Sequence, residues 1–108
     1  MANTFKLKTK NNVGTATSTV YTVPSSTTTV VIGVTLANTS GSSINVGLGI
    51  ARASADDISL MKNVPLPYGS SLEFMQGNKI VLEATDELTA VSDTNTTLDV
   101  ALTIMEIT

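Results

Sequence analysis

The stretch VPLPYGSSLEFMQGNKIVLEATDELTAVS, Val64 to Ser92, decides how this chain folds. It reads as three short strands joined by two tight turns. Pro65, Pro67 and Gly69 punctuate its entry, because proline cannot donate to a central ladder and glycine supplies the positive φ of a reversing chain. Leu72 and Phe74 then alternate with Ser71 and Glu73, the period of two that suits a half-buried strand. Gln76-Gly77-Asn78 turns the chain into Lys79–Glu83, and Thr85-Asp86-Glu87 turns it again into Leu88–Val91.

The same grammar extends outward. Upstream, Ile58–Val64 continues the pattern, and Ala53–Asp57 reads as a loop with room for one helical turn capped by Ser54. Ser43–Arg52 carries Ile44, Val46, Leu48 and Ile50 inward against Asn45, Gly47 and Gly49. Thr29–Asn38 sends Val30, Ile32, Val34 and Leu36 one way and Val31, Gly33, Thr35 and Ala37 the other. With the turn-forming segment Asn38–Ser42 between them, these two runs are expected to pair as an antiparallel hairpin. Thr15–Val23 is rich in Thr and β-branched residues and ends at Pro24, as an edge strand does. Thr4–Lys10 alternates Phe5 and Leu7 against Lys6 and Lys8, a short strand with one wet face, and Asn11–Gly14 is a turn signal. Downstream, Asn95–Thr108 places Leu98, Val100, Leu102 and Ile104 on one face and Asp99, Ala101, Thr103, Met105 and Ile107 on the other.

About eight or nine strands at intervals of roughly 8–12 residues, with no persuasive helix, predict an all-β, single-domain antiparallel β-sandwich. Both immunoglobulin-like and jelly-roll versions fit, and periodicity does not order the strands. The predicted organisation is a basic N-terminal arm or strand over residues 1–14 and a sandwich domain over 15–108. At 108 residues there is room for one core. Aromatic residues are scarce (Phe5, Tyr21, Tyr68, Phe74), so that core must be aliphatic.

The net charge of −3 argues against a nucleic-acid partner. Charge is unevenly placed: Lys6, Lys8 and Lys10 cluster near the N-terminus, whereas no basic residue follows Lys79 and Glu83, Asp86, Glu87, Asp93, Asp99 and Glu106 do. Ordinary solvated strand faces are the expected reading of these charges, with an attraction between arm and acidic end, or with a neighbouring copy, as the alternative. No stretch reaches the ~20 apolar residues of a spanning helix, and no apolar leader opens the chain, so a soluble protein without a membrane partner is expected.

The chain contains no cysteine and no histidine. That removes disulfides, thiolate nucleophiles, zinc-thiolate sites and the commonest general base, and no hydroxyl has a histidine to activate it. An enzyme is not expected, nor any cofactor or metal. Gly47-Leu48-Gly49 lacks the third glycine and the helix of a dinucleotide fingerprint, and reads as small residues that let another backbone approach. Asp56-Asp57 and Asp86-Glu87 read as solvated turn residues, since neighbouring carboxylates on a strand or turn diverge. Asp93, Asn95 and Asp99 lack the spacing of a calcium loop. Asn38-Thr39-Ser40 and Asn95-Thr96-Thr97 match the glycosylation sequon, a match that comes easily in so Thr- and Ser-rich a chain.

Several segments together resemble small virion structural proteins of tailed bacteriophages. They are Val20–Pro24, Thr29–Asn38, Val64–Leu72, Lys79–Glu83 and the ending Leu102–Ile107, so the likeness runs from about Val20 to the end. It rests on turn and strand patterns and carries no functional residues across. It implies a virion component assembled in the host cytoplasm: a head decoration (cement) protein that stabilises the shell by non-covalent bridging, or a neck, tail or baseplate accessory. The partners implied are the major capsid protein or other virion proteins, together with further copies of the chain, a trimer by analogy with capsids. The arm falls outside the likeness, and its Phe5, Lys6, Lys8 and Lys10 are the candidate partner-binding residues, docking on an acidic surface or on a neighbour's sheet edge. A β-sandwich that binds a host glycan or receptor through its end loops is the alternative, with Tyr68 as its best stacking residue.

Overall fold

A computed structural model describes residues 2–52, 55–74 and 79–108. Nine strands are present among them: β1 (Asn3–Val13), β2 (Ser18–Thr22), β3 (Thr28–Asn38), β4 (Ile44–Ala51), β5 (Ile58–Leu66), β6 (Ser71–Glu73), β7 (Ile80–Leu82), β8 (Glu87–Ser92) and β9 (Leu98–Ile107). One sheet has the order β1-β9-β3-β6, with β7 also pairing β3, and the other β2-β8-β4-β5. Every pairing is antiparallel. The chain passes from sheet to sheet at most connections, and β4–β5 is a hairpin within one sheet. That order, two four-position sheets of interleaved Greek keys, is the jelly roll, not the immunoglobulin arrangement.

The predicted hairpin of Thr29–Asn38 with Ser43–Arg52 does not form. β3 and β4 lie in opposite sheets, and the turn-forming segment between them is a corner. Asn38 fixes that corner from the inside: its Nδ2 donates to the carbonyls of Ser42 (2.9 Å) and Leu66 (3.0 Å), and its Oδ1 accepts from Ser40 N (2.9 Å) and Ser40 Oγ (2.8 Å). A buried amide with its hydrogen bonds satisfied at a sheet-to-sheet crossing substitutes for the ladder a hairpin would have supplied.

The core lies between the sheets and is aliphatic. Val31, Val34 and Leu36 of β3, Leu98, Val100, Leu102 and Ile104 of β9, Ile44, Val46, Leu48 and Ile50 of β4, and Leu88 and Ala90 of β8 are all buried. For β4 and β9 the inward sets match the predicted ones, because uninterrupted alternation fixes which residues share a face. In β3 they do not. The register shifts between Val31 and Gly33, so Val31 and Val34 both point inward and Val30 opposes Met105 on the outer face. One extra residue in a strand moves everything on one side of it to the other face.

A second bulge changes the N-terminus. Asn11–Gly14 does not end the first strand as a turn; β1 runs on to Val13 with a register shift between Lys10 and Val13 and with Asn12 at φ 56°. Asparagine tolerates that left-handed conformation better than most residues, and the Asn12 N–H is satisfied by Asp99 Oδ1 at 3.0 Å. Residues 1–14, predicted as an arm or strand, thus supply an edge strand of the first sheet from Asn3 onward. At the far end of β1, Ala2 and Thr108 exchange backbone hydrogen bonds of 3.2 and 3.0 Å.

Thr15–Val23 behaves as predicted: β2 is the edge strand of the second sheet. Pro65 sits in β5, the other edge of that sheet, where a missing N–H is tolerated. Gly69 supplies the turn after it at φ 67°. The turn predicted at Gln76-Gly77-Asn78 and the Ala53–Ser54 part of the predicted loop lie outside the described residues.

Candidate assembly surface

The four residues singled out in the sequence, Phe5, Lys6, Lys8 and Lys10, all lie on β1, but not with the faces their alternation suggested. β1 pairs β9 with Phe5 opposite Met105 and Lys6 opposite Ile104. Since Ile104 points into the core, it is the lysines that face the interior side of the sheet and Phe5 and Leu7 that face outward. Neither face of β1 is dry: Phe5 is 70% and Leu7 66% exposed, and Lys10 is exposed on the other face. Period two tells which residues share a face but not which face is covered, and the second sheet does not reach over β1 far enough to bury it.

Lys6 Nζ donates to Glu106 Oε1 at 2.8 Å. Glu106 itself is buried, opposite Thr4 of β1 and Thr29 of β3. Its Oε2 accepts from the Tyr21 hydroxyl at 2.5 Å, and Tyr21 in turn meets Thr29 Oγ1 at 2.8 Å. Lys6 and Tyr21 hold the Glu106 carboxyl below its ordinary range, helped by the nearby charge of Lys8. Burial, reinforced by the hydrogen bond to Glu106, pushes the Tyr21 hydroxyl up to about 12. In place of the solvated faces expected from the sequence, the alternative, an attraction between basic arm and acidic end, is present within one chain at Lys6 and Glu106, as a latch joining β1, β9, β3 and β2. Sequence reading placed Glu106 only among the acids of the C-terminal end, and missed its burial and its partner Tyr21 with Thr29 behind it. Glu106 among the inward positions of β9 was the available signal, since a carboxylate on a core face calls for a cation or donor.

The outer face of the same sheet is unlike an ordinary solvated face. Register places Phe5, Met105, Val30 and Val81 side by side across β1, β9, β3 and β7. Phe5 and Val81, the ends of this row, are 70% and 60% exposed. Leu7, Thr103 and Gly33 form the next row, then Thr9, Ala101, Thr35 and Glu73. A shallow depression lined by Thr9, Thr35, Ala37, Asp99 and Ala101 occupies that end. The carboxylates here are bonded within the chain: Glu73 Oε2 accepts from Thr35 Oγ1 at 2.6 Å, and Asp99 from Asn12 N. The face thus grades from large apolar to small polar side chains.

The other motifs serve the scaffold. A Cβ on Gly49 would lie 2.8 Å from the Ile58 carbonyl oxygen, and one on Gly47 3.0 Å from a Val91 methyl and 3.4 Å from the Met61 carbonyl. These glycines admit the backbone of β5 over β4, the close approach expected of them. Asp86 departs from the expectation of a solvated turn: it is buried, with Oδ2 accepting from Glu83 N at 3.0 Å and pairing Arg52 Nε at 3.2 Å, while Arg52 also reaches Glu83. Thr85, at φ 69°, makes the turn that aims it inward. Asp93 Oδ1 and Asn95 Oδ1 accept from Asn45 N (3.1 Å) and Thr15 N (3.3 Å), fastening the loops that carry them. Tyr68 is exposed on the turn after β5.

No protein-family model matches the sequence, and no curated protein matches it. A solved structure from the endospore appendages of Bacillus, a novel family of disulfide-linked pili, is similar in fold, with a TM-score of 0.60 at 11% identity. The match covers 99% of this chain and 87% of that one. The likeness is one of fold, and the disulfide linkage of those pili has no counterpart here, where cysteine is absent.

Proposed function

We propose that this chain is a non-enzymatic structural subunit that acts by adhesion in a many-copy assembly, specifically a decoration protein that bridges and stabilises the head shell of a tailed bacteriophage. The row Phe5-Met105-Val30-Val81 beside the open edge of β1 carries the reading. A long edge strand and a contiguous apolar row are liabilities for a solitary domain and are useful where a neighbour covers them. Many weak contacts of this kind add up to firm attachment when the subunit is repeated on a lattice. The sequence resemblance supplies the virion setting, and the chemistry is consistent with it, since a chain with neither histidine nor cysteine has few means of catalysis.

A fibre subunit is the second reading, favoured by the fold shared with the pilus protein. Cryo-electron microscopy of the particles from which the chain comes separates the readings. Density at many equivalent positions on the shell, with the β1 side against capsid subunits, is the expected result. Density confined to the tail vertex would move the protein to the neck or tail, and helical filaments built of this chain would favour the fibre. Its absence from both particle and filament would overturn the adhesion reading and favour a soluble glycan- or receptor-binding module.

A further inference from the structure

We propose that residues 2–10 are an exchangeable arm, which leaves its own β9 and pairs in the same register with β9 of a second copy of this chain. The inference rests on the assembly reading above and names the contact that would join the copies.

The first observation is how little the arm buries. From Asn3 to Asn12 every side chain is exposed except the half-buried Lys8, and the core begins at Val13, which is 1% exposed. Departure of the arm therefore withdraws no buried side chain from the aliphatic interior. Of the other edge strands, β2 contributes buried Tyr21, β5 buried Leu66 and β7 buried Leu82, while the three-residue β6 contributes none. The second observation is where the anchoring starts. The Val13 carbonyl accepts from Thr97 N at 3.2 Å, the Gly14 carbonyl from Ser92 N at 2.9 Å, and Thr15 N bonds Asn95 Oδ1 at 3.3 Å. Between this fixed segment and the arm lies the bulge at Asn11–Asn12, a natural hinge that interrupts the ladder already.

The third observation identifies the occupant. The ladder from Asn3 opposite Ile107 to Lys10 opposite Val100 and the salt bridge to Glu106 all lead to β9, and the reciprocal Ala2–Thr108 pair closes its end. A second copy offers that same set, Glu106 included, so the bonds lost in one chain are regained in the other. Exchange is then close to neutral in contact energy and governed by concentration, as in domain swapping. Reciprocal exchange closes a dimer, whereas one-way donation builds a ring or a filament.

Because the chain has no native cysteine, engineered thiols report the contact directly. Phe5→Cys and Met105→Cys variants, each on the outer face away from the core, are mixed at high concentration under mild oxidation. The expected product is a covalent heterodimer joined through those two positions, identified by peptide mass spectrometry and increasing with protein concentration. Ala101→Cys replaces Met105→Cys as a register control, about 13 Å farther along β9, and should give far less product with Phe5→Cys. Equal linkage to both positions, meaning random collision, would overturn the proposal. So would a Phe5→Cys/Met105→Cys double variant that closes only within its own chain while the mixed single variants stay unlinked. Light scattering on the unmodified protein keeps the two ideas apart: oligomers without cross-chain linkage, or a monomer at every concentration, would remove arm exchange, and either result leaves the assembly reading to the density on the particle.

Discussion

Replacing Glu106 by glutamine tests whether the latch holds β1 to the body of the fold. The substitution keeps the shape of the side chain and a carbonyl oxygen for the Tyr21 hydroxyl, but discharges the group that Lys6 grips. Hydrogen bonds to a charged partner contribute about 1.5–3 kcal/mol each, neutral ones about 1. The Lys6 side chain is 42% exposed while that of Glu106 is 7% exposed, so the ion pair falls toward the surface value of about 1 kcal/mol. Tyr21 retains Thr29 and loses only the charge assistance of its other bond, about another 1 kcal/mol. The expected loss for Glu106→Gln is thus about 2 kcal/mol, or roughly 8–16 °C in Tm for a domain of this size. Glu106→Ala should cost more, since it also empties buried volume.

Hydrogen exchange should locate the effect, with the amides of residues 3–10 and their β9 partners losing protection before those of β4 and β8. The pH dependence has a definite sign. Glu106 is depressed in the folded chain from an ordinary value of 4.5, so the latch contributes fully above that value and is lost as pH falls through the lower, folded-state value. The Glu106→Gln variant should lack that acid-side step. Unchanged Tm and unchanged β1 protection in Glu106→Gln would refute the latch and the energetics built on it.

Four further outcomes are expected. Asn38→Ala strips the Ser42 and Leu66 carbonyls and the Ser40 donors of a shared buried partner, and should lower urea stability by about 2–4 kcal/mol. Gly49→Ala drives a Cβ against the Ile58 carbonyl, a backbone atom that cannot swing away, and should cost about 1–3 kcal/mol in the same assay. Phe5→Ser with Leu7→Thr should shift Tm by about 0.5 kcal/mol or less in equivalent free energy, yet reduce self-association in light scattering, because both side chains are already largely in water. An alkaline phenolate titration should show a phase near pH 12 that disappears in Tyr21→Phe. Since the Tyr21 value is raised on folding, its contribution is present below the ordinary value of 10 and is lost as pH climbs toward 12.

Which parts of this molecule could be read from its sequence depended on how local the controlling physics was. β4 and β9 were legible down to individual inward residues, because their alternation runs unbroken. β3 was legible as a strand but not in its facing, since the bulge after Val31 leaves no mark in a run of Val, Ile and Gly. The partition into two sheets was illegible. The corner at Asn38 uses the same residue types as a hairpin loop, and what distinguishes it is a bond to Leu66, distant in sequence. Lys6 and Phe5 were singled out because charge and aromatic character stand out on a strand, but their sides were exchanged, as coverage by the second sheet is a long-range property. Glu106 and Asp86 show the same limit: each is a carboxylate in a polar-looking context whose burial depends on strands far away along the chain.

The pairing of Ala2 with Thr108 has an engineering consequence. With its two ends side by side in the ladder, the chain can be closed head to tail by a short linker and reopened at an exposed tip such as Gly41, around which a Cβ would meet nothing within 4 Å. Such a circular permutant holds the first strand captive between its own hinge and its own last strand. It would keep the pairing of the native sandwich while being topologically unable to lend that strand, so any association that depends on the exchanged arm would be lost while the surface stays the same.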